Sequence, residues 1–89
     1  MIKNLYAIYD SKSLTYCNPF ISINDLTAKR DVSLATNDEG TTLNSNPEDY
    51  CLYAIGTFDF ESGSLTSYNE PKYVASALSL KSHTPTGGN

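Results

Sequence analysis

Residues 51–60 read Cys-Leu-Tyr-Ala-Ile-Gly-Thr-Phe-Asp-Phe, and this stretch decides the predicted fold class. Successive side chains of a β-strand point to opposite faces of the sheet. One face of this strand therefore carries Leu52, Ala54 and Phe58, and the other carries Tyr53 and Ile55. A strand that is apolar on both faces is typical of a sheet that is covered on two sides.

A second stretch, residues 5–9, has the same character. Leu5, Ala7 and Tyr9 share one face, and Tyr6 and Ile8 share the other. Each stretch is followed by a polar turn and a returning strand. The turns are at residues 10–13 and 61–64, and the returning strands are at residues 13–16 and 64–68. Gly63 supplies the positive φ that a tight turn needs. The pattern predicts two β-hairpins.

The segment between the hairpins contains the principal helix candidate, residues 25–36. Ser22 or Asn24 can cap its first turn, where Asp25 is favourable. Ala28, Val32 and Ala35 follow the helical period and form its predicted buried stripe. Residues 37–40 are expected to end the helix, residues 41–46 to form a polar loop, and residues 46–50 to form a single helical turn that starts at a proline.

The predicted fold class is α+β, a small antiparallel β-sheet of two hairpins with one principal helix packed on one face. Residues 1–81 are expected to form one domain, and residues 82–89 a flexible C-terminal tail, because Thr, Pro and Gly dominate them. Residues 72–78 are compatible with a short strand or with a helical turn, and the pattern does not decide between them.

The residue types that carry most chemistry are sparse in this chain. A metal site is not expected, because the one histidine, His83, lies in the expected tail and the two cysteines stand apart. The acidic pairs Glu48-Asp49 and Asp59/Glu61 lie at a helix start and a turn, where they have structural roles. We therefore expect no enzyme and no cofactor. No apolar run has the length of a signal peptide or a membrane span, so we expect a cytoplasmic protein with free thiols and no membrane contact.

The aromatic residues are the strongest candidates for binding, because tyrosines on a sheet can stack on unpaired bases. The net charge of −4 argues against a general phosphate binder. The acids are concentrated in the second half, since residues 1–37 carry four cations against three acids and residues 38–89 carry two cations against seven. The predicted nucleic-acid-binding residues are Lys3, Tyr6, Tyr9, Lys12, Lys29 and Arg30.

The second apolar face of the sheet needs a cover. One candidate is another copy of the chain in a homodimer, and the predicted interface residues are Tyr6, Ile8, Tyr53 and Ile55. The other candidate is intramolecular, with the C-terminal residues Tyr73, Val74, Ala77 and Leu78 folded over that face.

The order of several short motifs resembles the small nonstructural protein of gokushoviruses, which are tailless single-stranded DNA phages of the Microviridae. The motifs are Leu5 to Lys12, Pro19-Phe20, Asn24-Asp25 opening a helix with Arg30, Asn46-Pro47-Glu48-Asp49-Tyr50, the strand from Leu52 to Asp59, Ser62-Gly63 and Pro71. Together they span roughly residues 3–80. Two positions depart from the family pattern, with Asn46 where histidine is common and Thr57 where glutamate is common.

The resemblance implies expression in the cytoplasm of an infected bacterium, absence from the mature capsid, and a role in genome replication or packaging. It assigns no catalytic or binding residue. The expected function is binding of single-stranded DNA or of phage or host replication proteins. The alternative is a protein-interaction module that docks on a host or phage protein without touching DNA.

Overall fold

The computed structural model describes residues 1–81, and the tail expected at residues 82–89 lies outside them. One antiparallel sheet contains five strands: β1 (Ile2–Asp10), β2 (Thr15–Tyr16), β3 (Phe20–Ser22), β4 (Tyr50–Asp59) and β5 (Leu65–Ser76). The helical segments are α1 (Asp25–Thr36), α2 (Thr42–Ser45), a 3₁₀ turn (Pro47–Asp49) and α3 (Ala77–Leu80). The predicted α+β class is confirmed.

The long strands β1 and β4 form the centre of the sheet. β5 pairs with the other edge of β4, and β2 and β3 pair with the other edge of β1. Across the β1–β4 pair, Tyr6 lies opposite Ala54 while Ala7 lies opposite Tyr53. Residues that lie directly opposite each other share a face of the sheet, so these two pairs mark its two faces.

The helical segments pack on the face that carries Tyr6 and Ala54, which we call the covered face. The buried core is Tyr6, Ala28, Val32, Leu52 and Ala54, and the half-buried residues packed against it are Ile8, Phe20, Leu43, Tyr68, Val74 and Leu80. The opposite side, which carries Ala7 and Tyr53, is the open face. A thin core of this kind is what a chain of 89 residues can bury.

Helix α1 has the bounds that its capping residues predict. Asn24 is the N-cap, and its side chain accepts a hydrogen bond of 2.8 Å from the backbone N–H of Thr27. Ala28 and Val32 are buried as predicted, and Thr36 is buried as well. The Thr36 hydroxyl donates to the carbonyl oxygen of Val32 at 2.7 Å, which satisfies it inside the core.

Strand β5 differs most from the sequence prediction. The expected returning strand at residues 64–68 and the undecided segment at residues 72–78 form one strand that ends at Ser76, followed by α3. Between the pairs Gly56–Ser67 and Ala54–Lys72, residues 68–71 bulge out opposite a single residue of β4. The bulge contains Pro71, which has no N–H to give to the sheet.

The connection between β1 and α1 adds more strand than predicted. β2 pairs only two residues with β1, and β3 then pairs with Asn4, Leu5 and Tyr6 along the same edge. The polar loop expected at residues 41–46 was wrong in part, because Thr42–Ser45 is a helical turn capped by the Thr41 hydroxyl. The helical turn at Pro47–Asp49 and the positive φ of Gly63, 74°, are confirmed. No helix within residues 1–81 is long and apolar enough to span a membrane.

Candidate functional site

The open face of the sheet carries four tyrosines in contact, which we call the tyrosine cluster: Tyr9, Tyr16, Tyr53 and Tyr73. Strand pairing brings them together, because Tyr9 lies opposite Tyr16 and Tyr53 lies opposite Tyr73. The ring centroids are 4.8 Å apart for Tyr9–Tyr16, 6.2 Å for Tyr9–Tyr53, 5.9 Å for Tyr16–Tyr53 and 5.8 Å for Tyr53–Tyr73. Tilted and edge-to-face contacts at these distances are favourable, so each ring is stabilised by contact with its neighbours.

The two outer rings of the cluster are open to solvent. Tyr16 is 45% exposed and Tyr73 is 61% exposed, whereas Tyr9 and Tyr53 are half-buried between them. Ala7 lies opposite Tyr53 on this face and is only 2% exposed. The cluster therefore exposes aromatic surface at both of its ends, on either side of a half-buried centre.

An apolar cleft and a cation continue the open face along β1. The cleft has a volume of about 280 Å³ and is lined by Leu5, Pro19, Ile55, Leu65, Thr66 and Ser67. Beyond it, the Lys3 ammonium lies 5.1 Å from the centroid of the Phe60 ring, a cation–π contact. The Phe60 ring in turn packs edge-on against Phe58 at 5.0 Å. One positive charge thus flanks a largely uncharged aromatic and aliphatic surface.

The surroundings of Tyr53 raise the pKa of its hydroxyl. Burial is the largest cause that raises its pKa, and nearby Cys51 and the other tyrosines of the cluster add to the shift. The protonated Tyr53 hydroxyl adds no negative charge to the open face and has a proton that it can donate to an acceptor atom.

Tyr6, predicted for both the nucleic-acid site and the oligomer interface, cannot serve in either. It lies on the covered face and is 0% exposed. Its hydroxyl donates to Asp25 Oδ1 at 2.7 Å and accepts from Asn4 Nδ2 at 3.1 Å. Burial, followed by the hydrogen bond to Asp25, raises the pKa of Tyr6 to about 12. The residue is therefore part of the core that joins β1 to the start of α1.

The other predicted nucleic-acid-binding residues are spread over the molecule. Lys3 and Tyr9 lie on the open face, while Lys12 lies in the turn between β1 and β2. Lys29 and Arg30 lie on α1, on the other side of the sheet. The structure therefore does not gather the predicted cations into one basic patch.

The predicted oligomer interface is divided between the two faces. Ile8 joins Tyr6 on the covered face, whereas Tyr53 and Ile55 lie on the open face. The predicted intramolecular cover also fails within residues 1–81, because Val74 packs against the core on the covered face. Ala77 is buried in α3, and Leu78 is 46% exposed. Of that segment, Tyr73 joins the open face, where it extends the tyrosine cluster.

The nucleic-acid-binding residues predicted from the sequence did not include Tyr16 or Tyr73. The sequence contains a signal that could have placed Tyr16 beside Tyr9, because the short turn after β1 fixes which residue of the returning strand lies opposite Tyr9. No such signal places Tyr73, because it lies opposite Tyr53 only as a result of the bulge at residues 68–71. Among residues 1–81 no group of three or more His, Cys, Asp or Glu side chains is placed to hold a metal ion.

The family described as Phage ORF5 protein matches residues 3–80 of this chain. The chain belongs to that family. The matched part contains nearly all of β1 and every other strand and helix described above, and the match indicates that the chain is a phage protein. No curated protein and no solved structure matches it significantly.

The open face is a surface suited to flat, uncharged ligand groups. Two exposed rings can each stack on a planar group, the apolar cleft can take an aliphatic or methyl group, and Lys3 can contact one anion.

Proposed function

We propose that this chain is a nonstructural accessory protein of a gokushovirus-type phage and binds single-stranded DNA through its open face. It acts in the cytoplasm of the infected bacterium, during replication or packaging of the single-stranded genome. The tyrosine cluster is the observation that carries the proposal, and the resemblance of the chain to the gokushovirus protein supplies the biological setting.

The chemistry of the cluster favours single strands over duplexes. Stacking on an aromatic side chain needs a base whose face is free, and every unpaired base has one. Tyr16 and Tyr73 are the exposed rings, and each stacked base contributes about 1–3 kcal/mol. Lys3 lies on the open face, whereas Lys29 and Arg30 lie on the other side of the sheet. Backbone neutralisation is therefore small, and we expect a weak dependence of affinity on salt.

The test is titration of a labelled single-stranded oligonucleotide, followed by fluorescence anisotropy at about 20 mM salt, where screening is weakest. We expect Tyr16→Leu and Tyr73→Leu each to weaken binding about tenfold, since each removes one stacking ring. Tyr50→Leu is the matched control, because Tyr50 lies outside the cluster and its hydroxyl donates to Thr42 Oγ1.

Two results of this titration would contradict DNA contact through the open face. One is no binding at high micromolar wild-type protein. The other is equal weakening by the Tyr50 control and the two cluster variants. A duplex of the same sequence should bind more weakly than the single strand, because its bases are paired and stacked.

The alternative function is a protein-interaction module that docks on a phage or host protein without touching DNA. The net charge of −4 and the dispersal of the cations favour it. Partners can be captured from infected cells with and without nuclease. Partners that persist after nuclease treatment support this alternative, and loss of every partner contradicts it.

A further inference from the structure

The outer surface of α1 carries exposed leucines around a cation. Leu26, Arg30 and Leu34 are spaced by one helical turn each and share one side of the helix. Leu26 is 73% exposed and Leu34 is 67% exposed. This side faces away from the sheet, so the tyrosine cluster does not account for it.

A groove lies between this side of α1 and α3, which we call the α1–α3 groove. It has a volume of about 520 Å³ and is lined by Leu26, Thr27, Lys29, Arg30, Ser33 and Leu80. The Ser33 hydroxyl donates to the carbonyl oxygen of Leu80 at 3.1 Å. The Lys81 ammonium donates to the carbonyl oxygen of Asn44 at 2.9 Å. These two bonds hold α3 in place, so the groove is already formed without a ligand.

The cations of the α1–α3 groove have no acidic partner among residues 1–81. Both ion pairs in that range involve the N-terminal amine, with Asp59 and Glu61. The nearest acids along α1 are engaged elsewhere. Asp25 accepts from the hydroxyl of Tyr6, and Asp31 lines a different cleft together with Ile8 and Phe20. Lys29 and Arg30 are therefore two adjacent cations, free of ion pairs within residues 1–81, that line the same groove as Leu26 and Leu80.

We propose that the α1–α3 groove binds an acidic amphipathic peptide segment of a partner protein, with an apolar side chain against Leu26 and Leu80 and carboxylates against Lys29 and Arg30. Burial of the leucines supplies affinity, and the two cations select the charge and orientation of the segment. A nucleic acid backbone fits less well, because phosphates would meet the cations but leave the leucines exposed.

The test uses a fluorescein-labelled glutamate-rich peptide with leucines at helical spacing. Two control peptides replace every glutamate by lysine or every leucine by serine. We expect the acidic leucine peptide to bind, and Arg30→Glu and Lys29→Glu each to weaken it at least about tenfold because an attraction becomes a repulsion. Lys12→Glu is the matched control, since it makes the same charge change outside the groove. Circular dichroism checks that every variant is folded.

Several outcomes would overturn the groove proposal. One is the absence of saturable binding of the acidic leucine peptide below about 1 mM. Another is that the serine peptide binds as tightly as the leucine peptide. A third is that Lys12→Glu weakens peptide binding as much as the two groove variants do. Loss of oligonucleotide binding by Arg30→Glu with no peptide binding would also overturn it, since the cations would then serve phosphates. The proposal is separate from DNA binding, because Tyr16→Leu should leave peptide affinity unchanged.

Discussion

The buried hydroxyl of Tyr6 connects the sheet to the principal helix. It lies between Asn4 of β1 and Asp25 in the first turn of α1, at 3.1 Å and 2.7 Å. The pKa of Tyr6 is raised to about 12, so the folded chain holds this proton more tightly than the unfolded chain, where tyrosine has a pKa of 10.0. The difference makes the free energy of unfolding depend on pH in the alkaline range.

We expect the contribution of Tyr6 to stability to be complete below about pH 10 and to be lost as the pH rises toward 12. In that window the unfolded chain has released the proton and the folded chain has not. The loss amounts to about 2–3 kcal/mol. Tyr6→Phe should remove this slope and cost about 1 kcal/mol at pH 7. Urea unfolding of both proteins from pH 7 to 11 measures the part of this loss that falls below pH 11, and the comparison cancels the titration of the other groups. An unchanged slope in Tyr6→Phe would contradict the burial of this hydroxyl.

The roles of Tyr6 and Tyr9 could not be separated from the sequence. Both belong to a strand that is apolar on both faces, so alternation shows that the two rings point to opposite faces but not which face the helix covers. That choice depends on the packing of Ala28 and Val32 against Tyr6 and Leu52, which involves residues far apart in the chain.

At the scale of elements, α1 depends on a narrow buried stripe. Val32 is 3% exposed, and Val32→Asp would bury a charge at a cost of several kcal/mol in a small domain. We expect this variant to lose its cooperative thermal transition in circular dichroism. Leu34→Asp is the control on the same helix, because Leu34 is 67% exposed. A folded Val32→Asp protein, or an equal loss in Leu34→Asp, would contradict the placement of α1.

The β4–β5 pair depends on the missing side chain of Gly56. A Cβ at this position would collide with the backbone carbonyl oxygen of Thr66. We expect Gly56→Ala to lower the free energy of unfolding by about 3 kcal/mol or more, since backbone atoms must move apart. Gly40→Ala should be nearly neutral, because the nearest atom to its Cβ is Asp38 Oδ1 at 3.6 Å. Urea unfolding measures both, and a neutral Gly56→Ala would show that the two strands are less closely paired.

Elements with local signals were predicted well and β5 was not. The bounds of α1 follow from Asn24, Asp25 and the residues after Thr36, all of which act within a turn of the helix. β5 is interrupted by Pro71 and by a four-residue bulge, which look like a strand end in the sequence. Its continuity depends on pairing with β4, and no local pattern reports such pairing.

At the scale of the whole molecule, the open face is an apolar surface that still needs a cover. In residues 1–81 no helix covers it, and it carries the exposed residues Tyr16, Ile21, Leu65 and Tyr73. Monomeric proteins rarely expose large contiguous apolar patches, so a cover is expected for this face. We propose that it closes on a second copy as a twofold dimer when DNA is absent, because a twofold contact buries the same patch on both chains.

Light scattering at micromolar protein should therefore give the mass of a dimer, and the mass should fall toward that of a monomer on dilution. Because the same surface is proposed to bind DNA, adding a saturating single-stranded oligonucleotide should separate the two chains. We expect Tyr73→Leu to weaken both dimerisation and binding of single-stranded DNA, whereas Arg30→Glu should change neither. A monomer mass over a hundredfold concentration range would contradict the dimer.

The tyrosine cluster also makes the protein its own optical reporter. The chain has no tryptophan, so its intrinsic emission comes from seven tyrosines, and the cluster holds four of them. Rings with centroids 4.8–6.2 Å apart exchange excitation energy efficiently. A ligand that stacks on one outer ring will therefore quench the emission of its neighbours as well, and unlabelled protein can report occupancy of the open face directly.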